Sequence, residues 1–190
     1  MSDQEPLFNS ANAALVFALN YSAQQYDRPM MNRMATPAVG SGKGLIGLDG
    51  AAQAGMIRQE LAACGHLVEN VLISRVAPNW QPCDCRSACC SGKRPNKDWT
   101  NAIAYLAVQA RYLALAGCVC NGMLRREYVV RFFTPKEKRI SLDELADRNG
   151  IHRNTASAHN AKVAKWLKTG EDQSWLMFDA KLSTSGLINS

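Results

Sequence analysis

No stretch of the sequence reaches the roughly 18–20 apolar residues that a membrane span needs. The best apolar run near the N-terminus, Ala13 to Leu19, is too short, and no basic segment precedes it. We therefore expect no membrane anchor and no signal peptide. The protein should stay in the cytoplasm in which it is made, without a membrane partner.

Charged residues are also scarce for a disordered protein, at 20% of the chain. Hydrophobic residues make up 47% of the 190 positions, so the chain can bury a core large enough for one domain or two small ones. The sequence therefore predicts a folded protein.

The net charge of +6 is confined to one part of the chain. Between Asn121 and Gly170 there are 11 Lys/Arg and 5 Asp/Glu, whereas the remaining residues carry 11 of each. A basic block of this kind favours a polyanionic partner, and nucleic acid is the usual one. A solvated basic face is the alternative.

Apolar spacing and breaking residues predict a mainly α fold, a helical bundle with a cysteine-rich insert and a C-terminal helix-turn-helix. Long helices are expected over Ala11–Tyr26, Asp49–Arg75 and Asp98–Val119, with Asp98 as the cap of the last. Prolines and glycines predict a loop over Asp27–Leu48. The expected organisation is an N-terminal helix and loop over 1–48, a helical core over 49–120 with the insert at 78–97, a DNA-binding domain over 121–170 and a tail over 171–190.

The helix-turn-helix prediction rests on signals that follow one another along the chain. Ser141 and Glu144 have the spacing of a capping box for a first helix over Leu142–Arg148. Gly150 then supplies the left-handed turn. A second helix is expected from Arg153 to Leu167, with Ala156, Val163, Trp166 and Leu167 on its inner face.

The outer face of that second helix has the chemistry of a DNA-recognition surface. Arg and Asn at its start can reach base edges in the major groove, and Thr and Lys side chains can bind phosphate. An ordinary helical hairpin is the alternative. The predicted DNA-binding residues are Arg153, Asn154, Thr155, Ser157, Ala158, His159, Lys162 and Lys165.

The run from Gly150 to Leu167 resembles the helix-turn-helix of bacterial sigma factor region four, and Arg126–Phe133 resembles the helix that precedes it there. That pattern has valine where this chain has Ala156 and serine where it has His152. The resemblance covers under a quarter of the chain, and no counterpart of the promoter-melting region is visible. It implies binding to double-stranded DNA.

In plan, the chain resembles the antitermination protein Q group of bacteriophages, because it pairs a sigma-like motif with a cysteine-rich insert. Members of that group bind DNA near a late promoter, engage RNA polymerase and let it read through terminators, and some carry a zinc-binding cysteine cluster. The resemblance implies a phage regulator located at the nucleoid of the bacterial host. Its implied partners are DNA and bacterial RNA polymerase, with sigma factor as a further candidate.

Four of the seven cysteines, Cys83, Cys85, Cys89 and Cys90, lie within eight residues. In a reduced compartment this favours a metal over disulfides. We expect structural zinc, because thiolates suit a closed tetrahedral site and the segment is too poor in aliphatic residues to fold by packing alone. Cys118, Cys120 or His66 could replace one of the adjacent pair as ligand. An iron–sulfur cluster and unligated cysteines remain alternatives.

Basic and aromatic residues flank the cysteines. Arg86, Lys93, Arg94 and Lys97 lie between Trp80 and Trp99. This segment is either a second contact for nucleic acid or polymerase, or a solvated loop.

Taken together, the sequence predicts a non-enzymatic, DNA-binding transcription regulator with antitermination activity. The alternatives are an activator without antitermination, a metal-dependent nucleic-acid enzyme, and a protein adaptor that needs no DNA. The enzyme alternative lacks a visible constellation of carboxylates or histidines for the chemistry.

Overall fold

The computed structural model describes residues 7–25, 48–83, 85, 87–88 and 90–188, and its fold is mainly helical, as predicted. The expected loop over Asp27–Leu48 lies outside the described residues, apart from Leu48, where a helix begins. In chain order the elements are α1 (Ala11–Gln25), α2 (Leu48–Ala63), α3 (His66–Val76), β1 (Trp80–Pro82), β2 (Lys93–Pro95), α4 (Lys97–Leu113), α5 (Gly122–Phe133), a short 3₁₀ helix (Lys136–Lys138), α6 (Leu142–Arg148) and α7 (Arg153–Thr184).

The prediction of one long helix over Asp49–Arg75 is wrong, because the chain turns between α2 and α3. Gly65 has a φ of +95°, a conformation that disfavours residues with a side chain. The turn lets α3 leave the direction of α2 and pack against both α4 and α7. A glycine inside an otherwise helical pattern was the available signal.

Helix α4 begins and ends differently from the prediction. Its cap is Asn96, whose side chain accepts a hydrogen bond from the Asp98 backbone amide at 3.0 Å, so Asp98 lies in the first turn. The helix ends at Leu113 rather than Val119. Cys118 and Cys120 therefore lie in the loop before α5.

The core is one cluster of buried apolar side chains to which all seven helices of the described chain contribute. Helices α1 and α2 pack together, α3 lies between α4 and α7, and α6 packs on α7. The buried residues of the basic C-terminal block therefore share a core with the N-terminal helices. The largest fully buried side chains include Leu15, Ile57, Leu72, Leu106, Tyr128, Leu145, Leu167 and Phe178.

Helix α7 is 32 residues long, so the expected end at Leu167 and the expected tail after Gly170 are both corrected. Gly170 lies inside the helix, where its carbonyl accepts a hydrogen bond from the Ser174 hydroxyl at 2.6 Å. Beyond it, Phe178 and Leu182 are fully buried. Their burial offsets the cost of about 1 kcal/mol that a glycine brings to a helix interior.

An ion pair fixes α3 to α7. Arg75 donates two hydrogen bonds to the Glu171 carboxylate, from Nε to Oε1 at 2.5 Å and from Nη2 to Oε2 at 2.8 Å. The same guanidinium lies over the rings of Phe132 and Phe133 at the end of α5, at 5.3 and 4.9 Å from their centroids. Three helices are thus tied together by one side chain.

Within the described residues, no helix combines the length and the apolar character that crossing a membrane requires.

Candidate nucleic-acid interface and candidate metal site

Helices α6 and α7 form a pair joined by a tight turn. Ser141 caps α6 by accepting a hydrogen bond from the Glu144 amide at 3.1 Å, which is half of the predicted capping box. The Glu144 carboxylate pairs with Arg148 instead of returning to the cap. Gly150 has a φ of +61°, and the amide of the next residue, Ile151, donates to the Ala146 carbonyl at 3.1 Å. The turn is therefore closed by backbone bonds that need glycine at its centre.

Asn149 connects this turn to the rest of the molecule. Its side-chain amide donates to the Leu145 carbonyl and to the Glu127 carboxylate on α5, both at 2.9 Å. The start of α7 is thereby held in a fixed position relative to α5.

His152, which stands where the sigma pattern has serine, caps α7. Its Nδ1 accepts a hydrogen bond from the Asn154 backbone amide at 3.2 Å. A serine hydroxyl at the same position would accept the same kind of bond. The replacement of serine by His152 therefore keeps the N-terminal cap of α7.

Seven of the eight predicted DNA-binding side chains are exposed along the first four turns of α7. Small residues in the middle of this face leave room for a close approach by a ligand surface. We call these seven residues the α7 face: Arg153, Asn154, Thr155, Ser157, Ala158, Lys162 and Lys165.

The eighth prediction, His159, is corrected. The side chain is only 7% exposed and meets the Tyr128 ring edge-on, with ring centroids 6.1 Å apart. Burial, followed by the nearby Lys162 ammonium, lowers the pKa of His159, so the ring is neutral at neutral pH. Its Nδ1 has no hydrogen-bond partner within the described part of the chain. His159 therefore belongs to the packing beneath the α7 face.

Two of the cations on the α7 face have a neighbour that a ligand could replace. Arg153 Nε lies 2.5 Å from Asp143 Oδ1, with both side chains mostly exposed. Lys162 Nζ lies 3.3 Å from the Cys118 sulfur. An exposed ion pair contributes at most about 1 kcal/mol, so a phosphate can compete with Asp143 for Arg153.

Three cysteines come together at the end of a short hairpin. Strand β1 pairs antiparallel with β2, Gln81 opposite Arg94, and the Cys83 amide then donates to the Gly92 carbonyl at 3.0 Å. The sulfur atoms of Cys83, Cys85 and Cys90 all lie within 4.8 Å of one another. In a tetrahedral site with Zn–S bonds of about 2.3 Å, sulfur atoms are about 3.8 Å apart, so the bound of 4.8 Å on these three separations is about 1 Å above that spacing. The three cysteines could hold a metal ion.

The pKa values of two of these thiols are shifted in opposite directions, that of Cys83 upward and that of Cys85 downward. A hydrogen bond with the Ser87 backbone, followed by those with the Cys90 and Cys83 thiols, lowers the pKa of Cys85. The thiolate is the form that binds metal. Cys89 lies outside the described residues.

The other suggested ligands lie elsewhere. Cys118 contacts Lys162, the Cys120 sulfur lies 3.7 Å from the Asn121 carbonyl, and His66 lies 3.5 Å from Glu69. Among the residues that the structure describes, none of the three belongs to a group of metal-ligating side chains.

No protein-family model, curated protein or solved structure matches this chain.

Sequence reasoning missed two features near these sites. One is the contact between Lys162 and Cys118, which lie 44 positions apart and had no local signal. The other is a cavity beside the hairpin, lined by Trp80, Trp99, Phe133 and Lys138 among others. Trp80 and Trp99 stand out in the sequence beside the cysteines, but no local pattern places the end of α5 next to them.

Proposed function

We propose that the protein is a transcription regulator that binds double-stranded DNA through the α7 face. The observation that carries the proposal is that seven of the eight residues chosen for their DNA-binding chemistry are exposed on one helix, beginning at its N-terminus. Helix N-termini attract phosphate, and an exposed helix face of this size fits the major groove. Helix α6 packs against α7 next to the turn and holds this helix in place.

The roles within the α7 face follow from side-chain chemistry. Asn154 in the first turn is a base-reading residue, since an Asn amide can pair with adenine through two hydrogen bonds. Lys162 and Lys165 bind phosphate, and Arg153, after release from Asp143, reaches a base edge beside Asn154. Ser157 and Ala158 let the helix approach the groove closely.

A salt titration of a variant that lacks one lysine charge tests this assignment. We expect Lys165→Ala to weaken binding to a duplex pool of random sequence and to reduce the slope of log affinity against log salt by about 0.9, because one phosphate contact is lost. The matched control is Lys181→Ala, which removes the same charge from the same helix about 24 Å further along. Fluorescence anisotropy at several salt concentrations measures both.

The control should keep the wild-type slope, because Lys181 lies beside Glu60 on the far part of the helix. Equal slopes for Lys165→Ala and the wild-type protein would show that phosphate does not contact this face. Equal losses of affinity and slope in both variants would indicate that the overall positive charge of the protein attracts the DNA, without a specific contact on the α7 face.

We also propose that the hairpin cysteines hold structural zinc, with Cys83, Cys85 and Cys90 as ligands and Cys89 as the fourth. The close approach of three sulfurs supports this. The paired strands are only three residues long, and a two-stranded hairpin of that size is marginal in water. Zinc would supply the missing stability.

For the activity of the bound protein we propose antitermination through RNA polymerase, as the resemblance to phage regulators implies. Sequences selected from the random pool can be placed beside a promoter that precedes a terminator. We expect the protein to increase readthrough by purified bacterial RNA polymerase on that template. A change in initiation alone would identify an activator instead.

A further inference from the structure

A cavity of about 480 Å³ lies where the hairpin, the start of α4 and the end of α5 meet. Its walls include Trp80 from β1, Trp99 from the first turn of α4 and Phe133 from the end of α5. Pro135 and Lys138 line it from the segment that leads to α6. This volume lies in the range of about 300–1,000 Å³ that is typical of small-molecule sites. No residue of the α7 face lines it.

The two inner aromatic side chains are fixed by their neighbours. Trp99 is buried, and the Asn96 cap, which also donates to the Pro78 carbonyl at 2.9 Å, holds its helical turn against the hairpin. Phe133 is buried under the Arg75 guanidinium, which Glu171 holds in place. Two of the three aromatic side chains that line the cavity are therefore held in place by their neighbours.

Trp80 is the exception, because its side chain is 59% exposed. A large aromatic side chain normally buries most of its area. Trp80 instead borders the open space of the cavity. An exposed indole at the mouth of an aromatic cavity can stack on a flat ring that enters it.

The surroundings of the mouth are basic. Lys138 lines the cavity, and Lys93, Arg94, Lys97 and Lys136 are exposed on the segments that carry its walls. Among the described residues, none of these five cations forms an ion pair. Of the acidic neighbours described in these segments, Asp98 is held by Arg58 at 3.4 Å and Glu137 is exposed, so the five cations still outnumber the carboxylates. The charge therefore favours an anionic ligand with an aromatic part.

We propose that this cavity binds an unpaired base of single-stranded DNA, with the base stacked on Trp80 and a flanking phosphate held by Lys138. Aromatic stacking with a basic track is how proteins bind single strands without reading sequence. A base can enter such a cavity only when it is unpaired, so this contact is chemically distinct from the duplex contact on α7. The choice of DNA over RNA rests on the proposed function. The claim that a base stacks on Trp80 does not rest on it.

The test is the affinity of the full-length protein for a short fluorescein-labelled oligodeoxythymidylate, which cannot form a duplex with itself. We expect Trp80→Ala to weaken binding about tenfold, because stacking on one aromatic side chain typically contributes that much. Trp80→Phe should retain most of the affinity. The matched control is Tyr112→Ala, which removes an aromatic side chain that is similarly exposed, at 62%, and that lies beside the Arg111 guanidinium.

Lys138→Ala is the second variant, and it stays informative if Trp80→Ala perturbs the hairpin. It should lower the salt slope for the oligonucleotide by about 0.7. Unchanged oligonucleotide binding in both Trp80→Ala and Lys138→Ala would overturn the proposal. So would equal losses of oligonucleotide affinity in Trp80→Ala and Tyr112→Ala.

Two further arms separate this proposal from the proposed function. Trp80→Ala should bind duplex DNA as the wild-type protein does, and Lys165→Ala should bind the oligonucleotide as the wild-type protein does. If the protein does not bind duplex DNA but still binds the oligonucleotide, and Trp80→Ala still weakens that binding, only the assignment of duplex binding to the α7 face is contradicted. Markedly tighter binding of oligouridylate than of oligodeoxythymidylate would overturn the choice of DNA.

Discussion

Cys85→Ser should strip the protein of bound metal. The wild-type protein is expected to retain about one zinc ion per chain after dialysis, since four thiolates complete a structural site. Removing the Cys85 thiolate takes away one of the three sulfurs that the structure brings within 4.8 Å of one another. Serine is a poor zinc ligand, so the metal content should fall close to zero. Elemental analysis of the dialysed proteins measures this.

The same substitution should loosen the hairpin. Gln81 and Arg94 are paired across two strands of three residues, which have little stability of their own. Without metal, the backbone amides of this pair should exchange with deuterium far faster, while those of α4 remain protected. Chelation of the metal from the wild-type protein should give the same pattern.

Cys64→Ser is the matched control, because Cys64 directly follows α2 and its sulfur lies 3.3 Å from the Glu60 carbonyl. It should keep the full metal content. Retention of zinc by Cys85→Ser, or a wild-type protein without metal after purification in zinc-containing medium, would contradict the assignment.

Phe178→Ala should destabilise the fold by about 3–5 kcal/mol, the usual cost of emptying a buried phenylalanine site. Phe178 is 0% exposed and lies in the second half of α7, within the same core cluster as the N-terminal helices. Its removal leaves a cavity that the helix cannot close. Urea unfolding followed by circular dichroism gives the free energy of unfolding.

Leu176→Ala serves as the comparison, since Leu176 is 72% exposed two positions earlier in the same helix. Its cost should stay within about 0.5 kcal/mol. If both substitutions cost equally little, residues 171–184 would behave as a frayed tail rather than as part of the core.

The extent of α7 illustrates how much of the fold could be read from the sequence. The pattern up to Leu167 was clear, and Gly170 followed where a helix-ending glycine is expected. Yet Ser174, Phe178 and Leu182 continue at a spacing of four residues and are all buried. The helix passes through the glycine because tertiary packing outweighs local propensity.

His159 could have been placed correctly from the same kind of pattern. It lies three residues after Ala156 and four before Val163, and both of those were predicted to face inward. Its polarity suggested the DNA-facing side, but spacing was the better guide. The exposed residues of the α7 face were predicted from chemistry and spacing together.

The cysteine site was predictable in composition but not in geometry. The sequence identified the four cysteines, whereas the hairpin register that brings Cys83 near Cys90 depends on backbone bonds such as that from Cys83 to Gly92. The aromatic cavity was beyond sequence reasoning altogether. Trp80 and Phe133 line one cavity only because the hairpin and the end of α5, which are distant in sequence, lie close together in the fold.

Photocrosslinking tests most directly whether the α7 face contacts duplex DNA. A benzoylphenylalanine introduced at Ala158 would lie in the middle of that face, and one at Asp179 would lie exposed on the same helix about 32 Å away. The control also removes a negative charge, so it biases the comparison against the proposal. We predict efficient crosslinks to duplex DNA from position 158 and few from position 179. Equal yields from the two positions, or crosslinks from position 179 alone, would contradict DNA binding by the α7 face.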